Sequence, residues 1–245
     1  MSTLQIIAMG GGFGMEPENP MLVLYVLNAA GKPRPKACFL AQASGESQDY
    51  ILRFYAAFSQ HNRQPSHLSL FRPPTADLEG FLLEKDVIYV GGGNSKSMLA
   101  LWREWGLDGI LRKAWECGVV LAGLSAGAIC WFEQGHTDSV PGLSRPSDRA
   151  LPMPGLLSPL PCLGFLEGSC SPHYDGEAAR RPSFQHFVGA GQLKDGYGVE
   201  DGVALHFIGS EIKNVVSSRP NSRAYRVQRS AGGAIENPIP TSYLG

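Results

Sequence analysis

Short apolar runs recur along the chain, each closed by glycine or a turn and followed by a segment of helical length. Leu4 to Met9 predicts a first strand, which Gly10-Gly11-Gly12 ends. Asn19-Pro20 marks a helix start, a capping residue before a pre-set first turn, and the helix runs from Met21 to Ala30. Ala37 to Ala41 reads as a second strand. Asp49 to Gln60 carries Ile51, Leu52, Tyr55 and Phe58 at helical spacing. Leu68 to Phe71 is a weaker strand, and Asp86 to Val90 a strong one that stops at Gly91-Gly92-Gly93. Ser95 to Trp105 and Asp108 to Cys117 predict helices, Val119 to Ala122 a buried strand, and Ala128 to Phe132 a further helix. This alternation predicts an α/β fold: a doubly wound, mostly parallel sheet with helices on both faces.

Beyond Gly135 the periodicity loosens. Pro141 to Pro161 holds six prolines and predicts a long surface loop or lid. Leu163 to Glu167 predicts another strand and Ala178 to Val188 a helix. Val203 to Ile208, Glu211 to Val216 and Ala224 to Gln228 read as C-terminal antiparallel strands. The 245 residues suffice for one sizeable core, so residues 1–245 are expected to form a single domain.

Charge and cysteine content narrow the function classes. A net charge of −1 gives no basic surface for nucleic acid. No apolar stretch approaches membrane-spanning length, and no leader segment is evident, since Leu4 to Met9 is short and runs into glycines. The five cysteines are odd in number and lack C-x-x-C spacing. They read as reduced thiols of a cytoplasmic protein rather than a disulfide frame or a metal site.

The candidate chemistry centres on Gly123-Leu124-Ser125-Ala126-Gly127, which joins the strand before it to the helix after it. A serine at such a turn, with glycine two residues to either side, has the form of a nucleophile elbow. An ordinary glycine-rich strand-to-helix turn is the plain alternative. In a doubly wound sheet, the Gly10 to Gly12, Gly91 to Gly93 and elbow turns all fall on the carboxyl edge, where such folds place their sites. Neither glycine triplet matches the dinucleotide fingerprint or the P-loop. Backbone N–H groups of Gly92 and Gly93, with that of Ala126, are candidates for an oxyanion hole. Among six histidines, His173 in Ser171-Pro172-His173-Tyr174-Asp175 follows a predicted strand and is the first candidate base, with His136 the runner-up. For the acid that orients the base, Asp138, Asp175 and Glu177 remain open.

Three motifs together resemble one known family. The strand ending Gly91-Gly92-Gly93-Asn94, the elbow Gly123 to Ala128, and Pro172-His173-Tyr174 are similar in order and spacing to peptidase E, the aspartyl dipeptidase family to which cyanophycinase is related. The resemblance runs from Ile6 to about Val227. It implies a fold like that of class I glutamine amidotransferases (flavodoxin-like), with serine in place of the cysteine nucleophile. It also implies a cofactor-free serine peptidase without a metal. Ser125 would be nucleophile, His173 base, Gly92 and Ala126 oxyanion donors, and Asn94 a support for that turn. Asp138 falls close to the family's aspartate, and Glu177 and Asp175 stay as alternatives. An arginine downstream of the histidine would hold a substrate aspartate, a place that Arg180 or Arg181 takes here.

The leading expectation is hydrolysis of short peptides, chiefly dipeptides with N-terminal aspartate, by a monomer or homodimer that needs no nucleic-acid or membrane partner. Two alternatives carry weight. An α/β-hydrolase-type esterase fits the order serine, acid, histidine. A catalytically silent amidotransferase-like binding module is the other.

Overall fold

The computed structural model describes residues 3–11, 15, 18–59, 64–139 and 157–245. Its centre is an eight-stranded sheet. The strands are β1 (Gln5–Met9), β2 (Lys36–Leu40), β3 (Gln64–Leu68), β4 (Val87–Val90), β5 (Val120–Leu124), β10 (Val203–Ile208), β11 (Glu211–Ser217) and β14 (Ser242–Tyr243). They lie in the order β14-β11-β10-β1-β5-β4-β2-β3. From β1 to β3 the strands are mutually parallel, while β10 runs antiparallel to β1 and β11 antiparallel to β10. The near-continuous apolar runs of β1, β2, β4 and β5 follow from this, because both of their faces are covered.

Alternate residues of each strand feed two cores. On one face Ile7, Phe39 and Tyr89 pack with Leu22, Val26, Phe54 and Phe58 from α1 (Met21–Ala29) and α2 (Gln48–Phe58). On the other, Ile6, Cys38, Ile88 and Leu121 pack with Met98, Trp102 and Leu111 from α4 (Ser95–Glu104) and α5 (Leu107–Glu116). Each fully buried side chain of this size contributes roughly 1.5–3 kcal/mol. The short α3 (Leu78–Leu83) precedes β4, and Asp77 caps it by accepting the Gly80 N–H.

The chain then builds a second sheet, of six strands, that the sequence pattern does not announce. It comprises β6 (Phe132–Thr137), β7 (Ser158–Pro161), β8 (Leu166–Ser171), β9 (Gly196–Val199), β12 (Ala224–Ser230) and β13 (Gly233–Ile239), ordered β13-β12-β9-β8-β6-β7. Strands β6, β8 and β9 are parallel neighbours. α7 (Arg180–Gly189) lies between β8 and β9 in the chain.

The mixed α/β expectation holds, with differences. The helix expected over Ala128 to Phe132 is instead α6 (Ala126–Ile129), and Phe132 already opens β6. The strand expected at Leu68 to Phe71 lies earlier, at Gln64–Leu68, and the one expected at Leu163 to Glu167 lies later, at Leu166–Ser171. Of the C-terminal strands, β10 and β11 extend the first sheet while β12 joins the second. Most of the proline-rich stretch lies outside the described residues, and only Leu157 to Pro161 of it can be placed. Among the described residues no helix is long and apolar enough to cross a membrane.

Candidate active site

Ser125 sits between β5 and α6 with φ 56° and ψ −114°, a strained backbone for a residue that bears a Cβ. The glycines around it are required by contact. A Cβ on Gly123 would stand 2.4 Å from the Gly127 carbonyl oxygen, and one on Gly127 would stand 2.2 Å from that of Val90. The elbow therefore packs backbone to backbone against β4.

Two strand ends of the second sheet bring partners to this serine. In the β8–β9 pairing, Ser171 lies opposite Gly198. The residues just past each strand, His173 and Asp201, therefore emerge side by side. Ser125 Oγ donates to His173 Nε2 at 2.9 Å, and His173 Nδ1 donates to Asp201 Oδ1 at 2.8 Å. The extension of β1 holds the backbones of this set: Met9 O accepts the Ser125 N–H, Gly10 O the His173 N–H, and Gly11 O the Gly202 N–H, at 3.1, 3.2 and 2.7 Å. Gly11 has no room for a side chain, because a Cβ there would stand 2.2 Å from His173 Cε1 and 2.7 Å from Asp201 Oδ1.

Electrostatics fit this geometry. The hydrogen bond from His173 is the main cause that holds the Asp201 carboxyl below the usual carboxylate range, outweighing its partial burial. Asp201 thus stays ionised and fixes the imidazole with its proton on Nδ1. The bare Nε2 can then take the Ser125 proton.

The expectation for the acid is corrected. Asp138, Asp175 and Glu177 make no contact with the imidazole nitrogens, whose partners are Asp201 and Ser125. Asp138 is largely exposed and lies 3.7 Å from Arg180 Nη2. Glu177 Oε2 accepts from Arg180 Nε at 2.6 Å. Asp175 Oδ1 accepts the backbone N–H of Asp201 at 2.8 Å, so it supports the acid from behind. All three are close to His173 in sequence or by motif, whereas Asp201 arrives through strand pairing.

His136, the runner-up base, is buried in β6 between the Ser171 and Ser183 hydroxyls, at 2.8 and 3.0 Å. Burial, aided by the charge of Arg180, pushes its pKa down to about 3. It is a neutral structural group away from Ser125.

Gly93, Asn94, Ser125, His173 and Arg180 line a cleft of about 320 Å³, with Asp138, Ser139 and Glu177 on its remaining wall. Asn94 caps α4 by accepting the Ser97 N–H at 2.8 Å, which anchors the glycine turn. The Gly92 N–H, expected to face an oxyanion, is instead donated to Tyr50 Oη at 3.0 Å. The Gly93 and Ala126 N–H groups have no acceptor among the described residues. The two arginines diverge as neighbours on a helix must. The Arg180 side chain is buried at the cleft, with Nη1 on the His136 carbonyl at 2.8 Å. Arg181 points away, paired with Glu236 and set over the Tyr225 ring. A roomier groove of about 480 Å³, at Arg219, Arg223 and Tyr243, contains no paired nucleophile and base.

A family model, that of peptidase family S51, matches residues 6–215. The chain belongs to peptidase family S51. This S51 peptidase is 53% identical over 242 residues to the uncharacterized peptidase YgaJ of Bacillus subtilis (strain 168), covering 98% of this chain and 99% of that protein. Its fold is like that of a crystal structure of a peptidase from an acI-B1 Actinobacterium. There the TM-score is 0.66 at 13% identity, covering 98% of this chain and 95% of the other. It is also like the 1.5 Å crystal structure of a putative peptidase E protein from Listeria monocytogenes EGD-e. That match has a TM-score of 0.59 at 15% identity, covering 98% and 100%. The resemblance to peptidase E carried by the three motifs is borne out, and the S51 peptidase is a serine-type peptidase. The esterase alternative is set aside by the family, and its premise of acid before histidine does not match the contact observed with Asp201.

Proposed function

We propose that this enzyme hydrolyses short peptides, preferentially dipeptides with N-terminal aspartate, through an acyl-enzyme on Ser125. The observation that carries this reading is one cleft that holds Ser125 and His173, with Asp201 bonded to the imidazole behind them, together with the buried guanidinium of Arg180. Ser125 Oγ bonds to the scissile carbonyl carbon while its proton passes to His173 Nε2, and the carbonyl π electrons move onto oxygen. Collapse re-forms the carbonyl, breaks the C–N bond, and the leaving amine takes the proton from His173. Water then repeats the sequence on the acyl-enzyme, with His173 again as base.

Arg180 is the aspartate-recognising group. Two of its arms are committed, to Glu177 and to the His136 carbonyl. Among the described residues, its Nη2 has the solvent-exposed Asp138 as ion-pair partner, at 3.7 Å. A substrate β-carboxylate displaces that loose partner and gains a charge-assisted bond in a partly dry cleft. Residues 1–245 act as a single domain, in a monomer or homodimer with neither nucleic acid nor membrane as partner, and the five unpaired thiols support a cytoplasmic setting.

The test compares kcat/KM for Asp-Leu and Asn-Leu, which differ mainly in charge. The expected ratio is about a hundredfold in the wild type, the scale of losing one partner of a desolvated charge pair. It collapses in Arg180→Met and stays intact in Arg181→Met. A wild-type ratio near one removes the aspartate preference.

A further inference from the structure

The Gly91–Asn94 turn has four backbone N–H groups, and three have a fixed acceptor. Gly91 donates to Leu40 O at 3.0 Å and Asn94 to Ala43 O at 2.7 Å, both backbone ties. Gly92 donates to the hydroxyl of Tyr50 at 3.0 Å, a tie through a side chain from α2. Gly93 has none among the described residues, and it lines the cleft beside Ser125. Three consecutive glycines allow more than one orientation of the peptides between them. Sequence-local sterics therefore do not decide which N–H faces the cleft. Something outside the turn has to.

Tyr50 is built to do so. Its ring meets Phe39 edge-on, with centroids 5.2 Å apart at 81°, and the Arg53 guanidinium lies 5.1 Å from its centre. Phe39 itself is fully buried in β2 and stacked on Phe54. Burial also pushes the Tyr50 phenol pKa up, so the group stays a neutral hydroxyl. A fixed, neutral oxygen of this kind accepts an amide proton in a partly buried place where leaving that proton unpaired is costly.

We propose that Tyr50 is a positioning residue for the oxyanion hole. By taking the Gly92 N–H it pins the turn so that the Gly93 N–H, together with that of Ala126, receives the oxygen that becomes negative when Ser125 attacks. This rests on the reading of Ser125 as nucleophile. Of the two glycine donors that the sequence offered, Gly92 and Gly93, it keeps Gly93 and departs from the family resemblance, which implied Gly92. Tyr50 touches no reacting atom and works only through the turn.

The test substitutes Tyr50→Phe, which keeps the ring and removes the acceptor. One readout is the rate at which a diphenyl phosphonate labels Ser125, since that reaction also develops charge on an oxygen held by the hole. The second is kcat and KM on Asp-Leu, and the third is the melting temperature. Labelling rate and kcat fall together by about tenfold to a hundredfold, somewhat less than deleting a donor outright. KM and melting temperature hold. A phenylalanine variant that labels at the wild-type rate overturns the proposal, and so does a loss confined to KM or matched by unfolding. Wild-type protein not labelled at Ser125 removes the nucleophile assignment and this proposal with it. A measurement on unmutated protein stands beside these in case the variant folds poorly. With glycine labelled in ¹⁵N, phosphonate capture moves the Gly93 amide proton downfield and leaves that of Gly92 in place; the opposite pattern restores Gly92 as the donor.

Discussion

Replacing Asp201 by asparagine tests the charge chain behind Ser125 with almost no change in shape. The native carboxylate accepts from His173 Nδ1 at 2.8 Å, and that bond is the main reason its pKa lies below the usual range. Asparagine can present its NH₂ group to Nδ1. The imidazole then keeps its proton on Nε2, where it faces the Ser125 hydroxyl as a second donor, and the base is lost. In the serine-protease precedent the same change lowers kcat about 10⁴-fold, or about 5.5 kcal/mol of transition-state stabilisation. A loss of that order is expected here in kcat, with KM nearly unchanged, because Asp201 does not line the cleft. Asp175→Asn serves as the matched control. Its amide oxygen still accepts the Asp201 N–H, so activity stays within about tenfold of wild type, the scale of one neutral hydrogen bond. Asp138→Asn and Glu177→Gln leave the imidazole contacts untouched and alter substrate affinity more than kcat. The assay is steady-state hydrolysis of Asp-Leu by purified variants whose circular dichroism matches wild type. An Asp201→Asn enzyme that keeps a tenth of the activity, or a Glu177→Gln enzyme that is the most damaged, refutes the assignment.

Two further outcomes follow from buried contacts. His136 is neutral in the folded protein, with its pKa pushed down to about 3, while an unfolded histidine titrates near 6.5. In that window the unfolded state binds a proton that the folded state does not, so stability rises with pH by up to about 1.4 kcal/mol per unit. Denaturant unfolding between pH 6.5 and 5 shows this slope, and a His136→Gln variant that leaves it unchanged counts against the cause given. Gly127→Ala forces a Cβ to 2.2 Å from the Val90 carbonyl oxygen and so costs about 1–3 kcal/mol by overpacking. The melting temperature drops by about 2–4 °C for each kcal/mol, and a variant that melts like wild type shows that the elbow packs less tightly than described.

The first sheet was legible because its central strands are apolar on both faces and stop at glycines, as β1, β4 and β5 do. The second was not, for reasons its residues make plain. β6 reads Phe-Glu-Gln-Gly-His-Thr, with no apolar period. Its polar side chains are held by specific bonds: His136 by two serines, Gln134 by the Lys194 N–H, and Glu133 by the Gly168 N–H. β9 reads Gly-Tyr-Gly-Val, which local propensity assigns to a turn, yet Gly196 has to lack a side chain because a Cβ would stand 2.1 Å from Ser169 O. Ser125 and His173 carry local signals in their elbow and Pro-His motif. Asp201 carries a misleading one, since Asp-Gly between two apolar stretches reads as a simple turn. Its nearness to His173 is a product of β8–β9 register, which no single-sequence pattern displays. Its place just past the end of β9, on the same carboxyl edge as the histidine, becomes a signal only once β9 is known to be a strand.

In the proposed mechanism Ser125 is an acylated nucleophile activated by His173. This role is tested most directly by reacting the protein with a serine-directed phosphonate and locating the adduct by peptide mass spectrometry. The mechanism predicts one adduct per chain, on the peptide containing Ser125, with loss of peptidase activity in step with labelling and no adduct in Ser125→Ala or His173→Ala. Full activity in a Ser125→Ala enzyme, or a stoichiometric adduct on any other residue that abolishes activity, contradicts it.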